Sequence, residues 1–124
     1  MRKMIRLATK AAYESKFRRA RVGAVIVRGD RVLSVGCNRI GFSHLLPNRP
    51  YRESIHAEQQ AILGLLKARR QHELIGATIY VSRIGRNGHE RLSKPCGNCH
   101  LLCATVGIHK VVYTSDQGVM EYDL

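Results

Sequence analysis

The sequence has no tryptophan and only two phenylalanines among its 124 residues. Proteins that hold single-stranded nucleic acid stack its bases on aromatic rings, so this scarcity counts against a strand-binding platform. Acidic residues are scarce too: nine Asp and Glu stand against 21 Lys and Arg, a net charge of +12. That excess argues for partners that carry negative charge: polyanions, phosphorylated small molecules or an acidic surface. No apolar run approaches the ~20 residues of a membrane span. The N-terminal MRKMIRLATKAA lacks the apolar stretch of a secretory signal. The expectation is a cytoplasmic protein, or one of the host cytoplasm if viral, with no membrane partner. Without secretion the four cysteines, Cys37, Cys96, Cys99 and Cys103, do not read as a disulfide framework. Repeats, low-complexity tracts and linkers are missing as well. The length suits one domain, 1–124.

What is present can build a core, since 44% of the residues are hydrophobic. The basic, amphipathic N-terminus has the character of an organelle transit peptide. Yet Met4, Leu7, Ala8, Ala11, Ala12 and Ser15 also form the stripe that a first core helix needs, and the spacing predicts a helix over 3–17. VGAVIV (22–27) and RVLSVGC (31–37) are β-rich and meet at Gly29-Asp30, a hairpin signal. Residues 38–54 read as an irregular loop and 55–70 as a helix. A strand follows at 77–82, then a polar loop at 83–94. A helix starting near Pro95 runs to about Val106 and stops at Gly107. Strands at 109–114 and 118–123 complete the chain. The expected architecture is α/β, a central mixed five-stranded sheet with helices on both faces. The last connection is too short for a crossover, so the last two strands should be antiparallel. The basic residues gather in two places, KFRRAR (16–21) and a loop holding Arg83, Arg86, Arg91 and Lys94. Each is either a binding surface or a solvated one.

The stretch IHAEQQAI (55–62) poses a chemical question. Glu58, Ile62, Leu65, Leu66 and Arg69 share one helical stripe, and the apolar members mark it as the buried face. A carboxylate on that face needs a reason. His56 stands two residues earlier, and CGNC supplies Cys96 and Cys99 at i, i+3 at the start of another helix. Two thiols so placed lie on one face and can grip one ion. A helix N-terminus also favours the thiolates that zinc requires. With His56 the ligands number three, which leaves an open position, the mark of a catalytic zinc rather than a structural one. Residues i and i+2 of a regular helix point about 200° apart, so Glu58 borders the ion without ligating it. Burial should raise its pKa and the zinc charge oppose that shift. A carboxylate so poised can move protons.

His56-Ala57-Glu58 and Pro95-Cys96-Gly97-Asn98-Cys99 match the H-x-E…P-C-x-x-C signature of zinc deaminases of nucleobases. Over essentially its whole length the chain resembles the cytidine/deoxycytidylate deaminase superfamily, and most of all the small deoxycytidylate-deaminase-like proteins. That resemblance implies the three-layer cytidine-deaminase-like fold, Zn2+ on His56, Cys96 and Cys99, and Glu58 as proton shuttle. It implies hydrolysis of cytosine to uracil in a free nucleotide or nucleoside, with zinc-activated water attacking C4. It places Asn38 against the sugar or base, the Val22-Gly23-Ala24 segment, Ala24 included, in the wall of the base pocket, and the Ala57 N–H on the base carbonyl. Assembly into a homo-oligomer is implied as well. Gln60 departs from the family, many of whose deoxycytidylate deaminases carry Asn there. His44, in the loop after Asn38, either touches substrate or is a plain loop histidine.

Two other readings stay open on the sequence. The same core could deaminate cytosine, or adenine, within single-stranded DNA or RNA, as the +12 charge invites. Tyr51 is then the best stacking residue. A non-catalytic zinc module that binds nucleic acid is the third, opposed by Glu58 and the ligand count. Cys103 and Cys37 read as core packing. His72, His89, His100 and His109 read as surface or capping residues.

Overall fold

The computed structural model describes residues 2–17, 20–41 and 53–124. The elements are α1 (Arg2–Ala12), β1 (Arg21–Arg28), β2 (Arg31–Cys37), β3 (Arg39–Gly41), β4 (Glu53–Ile55) and α2 (Ala57–Lys67). A 3-10 turn (Gln71–Leu74), β5 (Thr78–Ile84), β6 (Glu90–Arg91), α3 (Gly97–Thr105), β7 (Lys110–Ser115) and β8 (Gly118–Asp123) complete them. Five strands run in the order β2-β1-β5-β7-β8, and two-residue β6 pairs with β5. β5 and β7 are parallel, as the β5–α3–β7 crossover requires, and β7 and β8 are antiparallel. The mixed sheet is the one expected.

β1 reads as an unbroken apolar run because both of its faces are covered. Val25 and Val27 meet Ala8 of α1 on one side. Ala24 and Ile26 join Ile62 and Leu65 of α2, with Cys103 of α3, on the other. The helices approach closely where a strand offers no side chain. A Cβ on Gly23 would lie 2.0 Å from the Ala8 carbonyl oxygen, and one on Gly36 would lie 2.7 Å from the Ala61 nitrogen. These two glycines let α1 and α2 rest directly on the sheet.

Several boundaries differ from the sequence reading. α1 stops at Ala12, short of residue 17. Beyond it Ser15 Oγ donates to the Asn38 carbonyl and accepts from the Phe17 N–H, and a serine bonded this way competes with the helix ladder. α2 begins at Ala57, because Ile55 belongs to β4 and pairs with Arg39. The loop at 38–54 is therefore a small ribbon at its two ends. Arg69 does not extend the buried stripe. It takes φ +57, and the Arg70 N–H bonds back to the Leu65 carbonyl, a left-handed helix stop. The loop at 83–94 is partly strand, since β5 continues to Ile84 and β6 folds back on it. α3 begins at Gly97, so Pro95 precedes the helix rather than opening it. Cys37 is only half-buried, because it ends an edge strand, whereas Cys103 is in the core.

Candidate active site

Two helix starts meet in space. His56 is the N-cap of α2 and Cys96 the N-cap of α3, and both have extended backbone. His56 therefore stands outside the regular helix, which resolves the angular conflict with Glu58. Its N–H donates to Gln59 Oε1 at 3.3 Å, so the buried Gln59 side chain folds back over the helix start. The segment leading to Cys96 is held by a knot at the carboxyl ends of β5 and β7. Ser93 N–H donates to the Thr114 carbonyl at 2.9 Å, Ser93 Oγ donates to the Val81 carbonyl at 2.8 Å, and Thr114 N–H donates to Ser93 Oγ at 2.8 Å. This pins the approach to Cys96 at the sheet edge where α/β folds collect ligands.

His56 Nδ1 lies 3.2 Å from Cys99 Sγ and 3.8 Å from Cys96 Sγ. All three donor atoms fall within 4.8 Å of one another. Ligands about 2.0 Å (N) and 2.3 Å (S) from one tetrahedral zinc stand roughly 3.6 Å apart, so the cluster fits that ion. Among the described residues no carboxylate oxygen and no fourth side chain joins it; Cys103, deeper on α3, does not. Burial pushes the Cys99 thiol well above its ordinary range, and the charges of Glu58 and Cys96 push the same way. Groups that resist ionising together are groups a shared cation would hold. Two helix N-termini add their positive ends.

Glu58 is 5% exposed yet lines a cavity of about 210 Å3, together with His56 and Cys96. Burial raises its pKa to about 7, against the pull of its own backbone N–H and of the Cys99 thiol. A carboxyl that titrates near neutrality, beside a metal-ligand cluster and facing a cavity, has the properties of a general acid and base.

The family described as the cytidine and deoxycytidylate deaminase zinc-binding region matches residues 1–115. The chain belongs to the cytidine and deoxycytidylate deaminase family. It is 31% identical to the deoxycytidylate deaminase of Mycobacterium phage D29 over 129 aligned residues, covering 89% of this chain and 90% of that protein. Its fold superposes on a cytidine deaminase from Burkholderia pseudomallei with a TM-score of 0.71 at 25% identity, covering 98% of this chain and 91% of that one. The deoxycytidylate (dCMP) deaminase of cyanophage S-TIM5, solved with dCMP and dUMP, gives 0.60 at 22%, covering 91% and 76%. As a member of this family the chain is a zinc-dependent hydrolytic deaminase, and His56, Cys96 and Cys99 are the residues that can hold the metal. This displaces the reading as a non-catalytic zinc module.

The remaining site residues fall in different places. Asn38 and Ala57 line the cavity. Asn38 already carries structural bonds: its Oδ1 accepts from the Val22 N–H at 3.0 Å and its Nδ2 donates to the Ala20 carbonyl at 2.7 Å. One amide hydrogen and one lone pair are left for a ligand. Ala24 is fully buried in the core; the strand residue on the cavity wall is Val22. His44 and Tyr51, like Arg18 and Arg19, lie outside the described residues. Sequence reading placed Val22 there with its segment, and missed Ser93 and Gln59. Only Gln59 left a signal, the spacing of a capping box.

Proposed function

We propose that this deaminase converts cytosine to uracil in a free nucleotide of the deoxycytidylate type, with Glu58 carrying the proton. One observation supports this most: a buried carboxyl with a pKa near 7 lines a cavity with His56 and Cys96, members of a three-ligand cluster that no fourth ligand joins among the described residues. Zinc, when bound, supplies a Lewis acid that brings the pKa of a water molecule in the cavity towards neutrality. Two thiolates offset much of its charge, so a carboxylate base matters more here than in an all-histidine site. Glu58 takes a proton from the attacking water as its oxygen bonds to C4, and delivers it to N3. A second proton passes through Glu58 to the exocyclic amino group, the C4–N bond breaks, and ammonia leaves. Water and cytosine become uracil and ammonia, which balances the hydrolysis.

The Ala57 N–H is a donor left over at the helix start, suited to the base carbonyl. Asn38 offers its spare amide hydrogen to the sugar. The names of the phage relatives support a free nucleotide as substrate. The test is ammonia and uracil release from deoxycytidylate and from a cytosine-containing single-stranded oligonucleotide, side by side at physiological salt. Turnover of deoxycytidylate is expected. Turnover of the oligonucleotide alone, weakening as salt rises, would replace this reading with a strand deaminase, and turnover of neither would remove it.

A further inference from the structure

Arg83 belongs to two cavities at once. It opposes Val22 across the β1–β5 ladder and so shares that residue's face of the sheet. It lines the cavity that holds Glu58 and the ligand cluster. It also lines a second cavity, of about 330 Å3, with Arg86 and Arg91. The β5–β6 pairing sets Arg91 directly against Arg83, and the Gly85 N–H closes the hairpin on the His89 carbonyl.

The charges around Arg83 are unbalanced. Its Nε is buried and has no hydrogen-bond partner among the described residues. Arg91 reaches Asp116 only at 3.7 Å, with both side chains more than half exposed. Glu90, next to Arg91, is taken up by Arg2. Lys94, on the rim of the first cavity, lies over the Tyr122 ring at 5.4 Å. Cations held this near one another, with a buried donor unpaired, favour an anion between them.

Size leads to the same place. At about 210 Å3 the first cavity is below the ~300–1,000 Å3 of sites for larger ligands. A cavity of that size suits a base and part of its sugar, which directs a phosphate on that sugar towards the rim. The guanidinium fork matches a phosphate in geometry as well as charge.

The geometry points to Arg83 as the receptor for a phosphate group on the substrate, backed by Arg86 and Arg91 from the adjoining cavity. This rests on the deaminase reading and deepens it: the site discriminates the nucleotide from the nucleoside through Arg83. Arg21 provides an internal control. Its Nε is also buried with no hydrogen-bond partner among the described residues, but it opposes Ile84 and so points to the other face of the sheet, with its guanidinium 5.8 Å from the Tyr13 ring centre.

The experiment compares kcat/KM for deoxycytidylate and deoxycytidine in zinc-loaded wild type, Arg83→Gln, Arg83→Lys and Arg21→Gln at fixed ionic strength. Arg83→Gln is expected to lower kcat/KM for deoxycytidylate about 10- to 100-fold, mostly through KM. Deoxycytidine should stay within about twofold. Arg83→Lys should recover part of the loss, and Arg21→Gln should match wild type on both. An equal loss on both substrates, or no loss on deoxycytidylate, overturns the assignment. So does a preference for a single-stranded oligonucleotide that depends on Arg83, which would give the cluster to a strand backbone instead. If neither substrate turns over, the deaminase reading fails and calorimetric titration with deoxycytidylate decides the phosphate site. Binding lost in Arg83→Gln upholds it, and equal binding overturns it.

Discussion

Asn38 shows how one residue serves packing and site together. It is 8% exposed, and its side-chain amide continues the β1–β2 ladder beyond the last strand residue through Val22 and Ala20. The same bonds leave one amide hydrogen on a residue that lines the cavity. Asn38→Asp would place a carboxylate oxygen against the Ala20 carbonyl and bury a charge. A loss of at least about 2 kcal/mol in urea denaturation at neutral pH is expected. A loss under about 0.5 kcal/mol would show that the bonds to Ala20 and Val22 do not hold the strand end. Gln59 acts in a similar way on His56, since its side chain accepts the ligand's own N–H. Both are polar residues buried close to the chemistry, where half-satisfied groups would be expensive.

At the scale of elements, the site depends on where α2 sits. Ala57 O and Ala61 N lie 2.8 and 2.7 Å from the place a Gly36 Cβ would take. These are backbone atoms, so the helix as a whole must give way. Gly36→Ala is expected to cost about 1–3 kcal/mol and to lower activity further than stability alone explains, because Glu58 moves with α2. Thermal melts with turnover at a temperature where the variant is folded check this; unchanged turnover would mean that the helix position is not critical. The far end of α2 carries a pH-dependent tie. Glu73 accepts from Arg70 Nε and from Arg31 Nη2 of β2, the latter at 2.6 Å, and its pKa is held down by the Arg70 hydrogen bond first and nearby positive charge after. A lowered carboxyl pKa contributes stability above the ordinary Glu range and loses it as pH falls through the folded value. Glu73→Gln should therefore be less stable than wild type at pH 7, and the two should converge as the pH is lowered through the folded value. A constant gap across that range would assign the effect to packing.

Much of this level was legible in the chain. Alternation and β-branched runs gave the five main strands, and the hairpin between β1 and β2 turns at Gly29-Asp30 as expected. The two motif halves gave the ligand cluster, because each is local and sits at a helix start. What was not legible came from contacts across distance. No local pattern marks β6, two residues that exist as a strand only because β5 runs on to Ile84. Nor does any pattern show that Ser93 and Thr114 lock together, or that Arg83 joins one cavity to another. Of the segment 22–24, Val22 reaches the cavity, while Ala24, two residues later on the same face, is buried in the core.

For the whole molecule, the metal site ties together the starts of two helices that also share one core. His56 arrives from the β3–β4 ribbon at the start of α2, and Cys96 and Cys99 come from the start of α3, after β5. An ion bound only by the folded chain stabilises it by mass action, by about 2.7 kcal/mol at a hundredfold excess over Kd. Chelation is therefore expected to lower Tm by roughly 10 °C, with recovery on adding zinc but not magnesium. A melt indifferent to chelator would deny the three residues a metal. The +12 charge has a local counterpart in the cations around Arg83, while Lys16 and Arg21 border a different cavity.

The measurement that bears most directly on the account is turnover of deoxycytidylate by Glu58→Gln, with zinc content determined on the same sample. The amide keeps the shape of the side chain and removes its proton chemistry. One zinc per chain with turnover reduced by about 10²–10⁴-fold is expected. Full zinc content with turnover within about tenfold of wild type would contradict Glu58 as the proton carrier, and with it the reason given for a carboxylate on the buried face of α2.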